Sequence, residues 1–214
     1  MIIISHRGYW KEISEKNQTQ AFARSFRLGF GTETDIRDYN GTLVISHDIP
    51  DRNAIKFEEF LDIFNSEKVP GVLPLALNIK SDGLQKKIKE LLNLKNIADY
   101  FVFDMSIPDT INYRQEKINY FVRYSEFESL NDLYFNAKGV WLDGFEKDLA
   151  DESLIKKFLD DGKTVCLVSS ELHKRSHKNL WLSLKNYDMS VFESNNLILC
   201  TDLPEEAMEF FYGK

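Results

Sequence analysis

The sequence predicts an α/β fold, specifically a compact TIM-like (β/α)8 barrel with an extra β-hairpin after the second strand. Short apolar runs of strand length are spread along the 214 residues, and segments of helical period separate most of them. That alternation is the signature of parallel strands joined by helices. Counting eight runs besides the hairpin arm points to a closed barrel. Polar residues also recur where the runs end: His6, Asp35, Lys80, Asp104, Asp143, Ser169 and Asp202. The C-terminal strand ends carry the chemistry in such barrels.

In chain order, residues 2–5 form the first apolar run and lead into His6-Arg7-Gly8. Residues 18–28 carry Ala21, Phe22, Ser25, Phe26 and Leu28 at helical spacing, and Gly29 can stop that helix. Residues 32–36 form the second strand. The Asn40-Gly41 dipeptide then predicts a hairpin to residues 43–46. Residues 57–64 put Phe57, Phe60, Leu61 and Phe64 on one helical face, and residues 72–79 read as a strand covered on both sides. An amphipathic helix is expected over 84–94, and strands over 100–104, 119–124 and 139–143. The segment between Asp104 and Asn119 reads as a short loop. A helix over 149–160, strands over 163–168 and 197–201, and a last helix opened by Pro204 complete the chain. With no linker, repeat or low-complexity run, residues 1–214 read as a single domain.

At 43% hydrophobic and 29% charged, the chain has the balance of one domain able to bury a large core. A net charge of −7 argues against nucleic-acid binding, which ordinarily shows a basic excess. It does not argue against an anionic substrate, because a bound metal reverses the local field. Cys166 and Cys200 sit inside apolar runs and read as buried thiols rather than a disulfide or a nucleophile. No stretch has the apolar length of a membrane span, so a cytoplasmic location is expected.

Residues 31–48 organise the functional reading. In a strand, Glu33 and Asp35 project from the same face. Two carboxylates side by side suit a hard divalent cation. The alternative is a structural ion network with Arg7 and Arg37. His47-Asp48 closes the hairpin arm, and a histidine at that place suits proton transfer. His6 ends the first strand comparably.

These stretches resemble the glycerophosphodiester phosphodiesterase family, within the phospholipase-C-like phosphodiesterases. His6-Arg7-Gly8 is similar to the family's opening HRG, and Asn17 with Ala21-Phe22 to part of its E-N-T-x-x-A-F segment. Glu33-Thr34-Asp35, Gly41, Val44 and His47-Asp48 match E-x-D…G-x-x-V-x-x-HD, and residues 201–204 match the closing TD-x-P. The resemblance spans almost the whole chain. It implies a TIM-like barrel that hydrolyses a small phosphodiester with a divalent metal, Mg²⁺ or Ca²⁺. It places the metal on Glu33 and Asp35, makes His6 and His47 the general acid and base in unassigned order, and sets Arg7 and Lys80 against the phosphate.

The sequence departs from the family at two positions. Where the family has a third metal carboxylate in E-x-K, this chain has Asn78-Ile79-Lys80. Asn78 serves either as a neutral ligand or as a strand-end cap. The E-N-T glutamate is replaced by Lys16. These departures keep two alternatives open: a catalytically weak barrel that binds a phosphorylated ligand, and a lyase that ends at a cyclic phosphate. Asp104, Asp143 and Asp202 are expected as helix caps, and His173 and His177 as part of a solvated polar face. The expected partner is a small-molecule phosphodiester. Nothing in the sequence specifies an oligomeric state.

Overall fold

Strand β1 (Ile2–His6) opens the chain, and its last two residues lead into the first of two compact units. The structure is a computed structural model describing residues 1–213. Residues 5–120 form one unit; residues 1–4 and 121–213 lie in the other.

In the first unit the sheet is built around β2 (Gly31–Tyr39), which is longer than the sequence suggested because it serves two partners. Residues 32–36 pair in parallel with β5 (Leu75–Ile79). Residues 36–39 pair antiparallel with β3 (Thr42–Ile45). The Asn40-Gly41 turn takes positive φ at both residues, 48° and 78°, as a tight hairpin requires. A two-residue strand, β4 (Ile55–Lys56), pairs antiparallel with β3 and was not expected. Strand β6 (Tyr100–Phe103) continues the parallel sheet beside β5.

Helix α1 (Thr19–Arg27) packs on α2 (Phe57–Glu67) through a run of phenylalanines. Phe22 meets Phe60 edge-on at 4.7 Å, and Phe26 meets Phe64 at 5.0 Å. Such pairs add to simple area burial. Under α1, Ser5 Oγ shares hydrogen bonds with Ser25 Oγ and Thr32 Oγ1, so the polar atoms at this contact are satisfied. Helix α3 (Gln85–Leu94) buries Ile88 and Leu92 as its period predicts.

Two expectations are corrected in this unit. The strand expected over 72–79 begins only at Leu75, because Val72 is exposed and precedes Pro74, which lacks the N–H a ladder needs. The segment after Asp104 is not a short loop. It holds α4 (Ile107–Gln115), whose cap Ser106 accepts from Asp109 N–H at 3.3 Å.

In the second unit β7 (Phe121–Tyr124), β8 (Gly139–Leu142), β9 (Thr164–Val168) and β10 (Leu197–Thr201) run parallel in that order. Helix α5 (Glu152–Asp160) is capped by Asp151, whose side chain accepts from Leu154 N–H. Two further helices, α6 (Lys178–Lys185) and α7 (Met189–Phe192), occupy a stretch left unassigned by periodicity. The last helix, α8 (Pro204–Tyr212), starts at Pro204 as expected. Cys166 and Cys200 lie fully buried in β9 and β10 as thiols. Among the described residues, no helix is long and apolar enough to cross a membrane.

Candidate active site

The expected site residues all fall in the 5–120 unit. The chain turns sharply at Arg7 and Gly8, which both take the left-handed backbone, with φ of 59° and 81°. A Cβ on Gly8 would lie 2.8 Å from the Ala21 Cβ, so the close approach of α1 requires glycine there. The turn directs the Arg7 N–H to the Glu33 carbonyl at 3.0 Å and to Glu33 Oε2 at 3.2 Å. His6 Nε2 stands 3.9 Å from the same carboxylate oxygen.

Asp35 is fully buried. Its Oδ2 accepts from Asn17 Nδ2 at 2.8 Å and pairs with Arg7 Nε at 3.1 Å. Asn17 is itself held, since Thr34 Oγ1 donates to its Oδ1 at 2.9 Å. Arg37 is not part of this network; its Nε donates to the His47 carbonyl at 3.3 Å. Asp35 faces Asn78 across the parallel register of β2 and β5. Lys80 comes just after the end of β5, with Nζ 3.6 Å from Asp35 Oδ1 and 3.3 Å from Asp104 Oδ2.

Burial first, and the neighbouring Asp35 charge second, push the Glu33 carboxyl well above the usual range. Asp35 Oδ1 and Asn78 Oδ1 are both buried with no hydrogen-bond partner. Two orphaned oxygens in register on adjacent strands, with Glu33 on the same face, fit a hard cation that takes oxygen donors. The set depends on an amide. Among the described residues no group of three His, Cys, Asp or Glu side chains is placed to hold a metal.

His47 lies apart from this buried group, on the exposed loop after β3. It hydrogen-bonds Asp48 Oδ1 through Nδ1 at 2.9 Å, a contact that holds the Asp48 carboxyl below its ordinary range. The loop is anchored where Ser46 N–H donates to the Asp35 carbonyl at 3.0 Å. A cleft of about 370 Å³ is lined by His47 together with Arg7, Lys16 and Asn17. Arg7 therefore belongs to both groups: its Nε pairs with Asp35, and the residue lines the cleft that His47 also lines.

No protein-family model matches the chain, and no curated protein sequence does. Solved structures do. A glycerophosphodiester phosphodiesterase from Parabacteroides distasonis is 16% identical, with a TM-score of 0.69 over 99% of this chain and 97% of that one. A phosphodiesterase from Oleispira antarctica, solved with the product sn-glycerol-3-phosphate, is 12% identical with a TM-score of 0.70, covering 98% and 96%. A Ca²⁺-dependent phosphatidylinositol-specific phospholipase C from Streptomyces antibioticus is 10% identical, at 0.52 over 96% and 95%.

The chain has the fold of the glycerophosphodiester phosphodiesterases.

That fold is the expected α/β, TIM-like class, and the β2–β3 pairing supplies the extra hairpin. Several residues outside the expected set take part in polar clusters on it. Asn17, matched in sequence only as part of a motif, positions Asp35. Asp104 does not cap a helix; it pairs with Lys80 from a left-handed backbone, φ 74°. In the 121–213 unit, Asp143 is also not a cap but a buried carboxylate, 2.6 Å from His173 Nε2 and 3.7 Å from Arg123 Nε. The N-cap position of α8 is Leu203 rather than Asp202, and the Asp202 N–H donates to Glu171. His173 and His177 do not form a solvated face: His177 packs on the Trp181 ring at 4.1 Å and pairs with Glu206 at 3.3 Å. The i,i+4 spacing of these histidines carried no information about either partner. Trp141 is buried within β8, in the core.

Proposed function

We propose that this chain hydrolyses a small, glycerophosphodiester-like phosphodiester with the help of a divalent cation, Mg²⁺ or Ca²⁺, in the cytoplasm. One observation carries the reading. The end of β1, the middle of β2 and the end of β5 bring His6, Arg7 and Lys80 around the buried Glu33, Asp35 and Asn78, on a fold shared with known phosphodiesterases. The product-bound Oleispira enzyme supports the substrate class.

Glu33, Asp35 and Asn78 would hold the cation. When bound, it supplies positive charge against the phosphoryl oxygens and so stabilises the charge of the transition state. Arg7 and Lys80 contribute in the same sense as fixed cations; the Arg7 guanidinium can engage two oxygens at once. Of His6 and His47, one takes the proton from water as its oxygen bonds to phosphorus. The other delivers a proton to the alcohol oxygen as its bond to phosphorus breaks. Each transfer is typically worth ~10²–10⁴-fold in rate. Asp48, bonded to His47 Nδ1, fixes the tautomer that leaves Nε2 for the reaction.

A second reading, a barrel that binds a phosphorylated ligand without turning it over, is favoured by the neutral Asn78 and by the two cations already set against Asp35. A glycerophosphodiester assay followed by phosphorus NMR, with and without Mg²⁺ or Ca²⁺, separates the two. Metal-dependent release of a phosphomonoester, falling by about 10²-fold or more in His6→Ala, is the expected result. Ligand binding with no turnover at saturating cation would establish the second reading, and a cyclic phosphate end product would make the enzyme a lyase.

A further inference from the structure

Lys80 lies between two carboxylates, and its position poses a physical question. Asp35 Oδ1 is buried and without a hydrogen-bond partner, and Lys80 Nζ pairs with it at 3.6 Å, longer than a hydrogen bond. An ammonium on a flexible four-carbon stem can settle nearer either carboxylate. Asp104 Oδ2 is nearer, at 3.3 Å, within hydrogen-bonding distance. Asp104 follows Phe103, the residue in register with Asn78 on β5, so the carboxylate is delivered from the next strand over. Its backbone is left-handed, at φ 74°, a conformation that costs most residues free energy and that aspartate tolerates better than most. Lys80 and Asp104 side chains are only 19% and 24% exposed, so solvent screens the pair incompletely.

We infer that Asp104 is a positioning residue that holds Lys80 off Asp35, keeping the ammonium directed at the substrate phosphate and Asp35 Oδ1 open for a cation. The inference rests on the phosphate-binding part of the proposed function and names the residue that organises it. It also gives this chain a negative charge beside the site where Asn78 supplies none.

The sign of one measurement separates this role from simple electrostatics. Removing a carboxylate near an anion site raises anion affinity by Coulomb's law alone. If Asp104 positions Lys80, its removal lets Lys80 collapse onto Asp35, and affinity falls. The test is calorimetric titration of inorganic phosphate into wild type, Asp104→Asn, Lys80→Met and the double variant. Asparagine tolerates the left-handed backbone, so Asp104→Asn keeps the turn. The expected result is phosphate binding weakened about tenfold in Asp104→Asn, the loss of one charge-assisted contact. In the Lys80→Met background the same change should leave binding equal or tighter, since no ammonium remains to be placed. Equal or tighter binding in Asp104→Asn alone overturns the inference, as does wild type that binds no phosphate. The diester assay is separate: absent turnover with the expected phosphate pattern removes the hydrolytic reading and leaves Asp104 in this role.

Discussion

Glu33 is 1% exposed, and burial with Asp35 beside it pushes its carboxyl up to about 7. Its unfolded value is the ordinary one near 4.5. A carboxyl whose folded pKa is raised contributes stability that is fully present below the unfolded value and is lost as pH rises through the folded one. In a chelator, stability should therefore fall between about pH 4.5 and pH 7, on the order of a few kcal/mol in all. Urea unfolding across that range should show the decline in wild type and a flatter profile in Glu33→Gln. An unchanged profile in the variant would mean that Glu33 is already ionised in the fold. The pairing of Glu33 with Asp35 was legible because strand period alone puts positions two apart on one face. The grip of Asn17 on Asp35 and of Asp104 on Lys80 was not. Both depend on where a left-handed backbone aims a side chain, and φ at Asn17 and Asp104 has no signature in an isolated sequence.

At the scale of elements, the turn after β1 sets both His6 and Arg7. Gly8→Ala would add a Cβ 2.9 Å from the backbone carbon of Ala21, at a φ of 81° that disfavours any side chain. Strain and overpacking together should cost about 2–4 kcal/mol, measurable by denaturant unfolding. Activity should fall beyond what the stability loss explains, because His6 and Arg7 precede the displaced residue. Elements with strong apolar period, such as α1, α2 and α5, were readable directly. Helix α4 was not, for a physical reason: its buried face carries Asp109 and Thr110 with Tyr113, so no apolar stripe marks it. Its Ser106 cap and Pro108 did mark it, as start signals that hydrophobic period does not weigh.

For the whole molecule, the alternation of apolar runs and helices was enough to reach the fold class, because parallel strands covered by helices leave continuous apolar runs in the sequence. The partners of Asp143, His173 and His177 were invisible for the converse reason: they join residues about thirty positions apart that only tertiary folding brings together. The buried thiols of Cys166 and Cys200, fully inaccessible in adjacent strands β9 and β10, make the protein its own chronometer. A thiol reagent can reach either sulfur only when those strands part. If labelling follows reagent concentration, its speed measures how often the strands stand open; once it saturates, it measures how fast they open. Reduced protein should thus resist labelling for as long as β9 and β10 stay paired, and a burst of two reacted thiols in the native buffer would show that this pair of strands opens on its own.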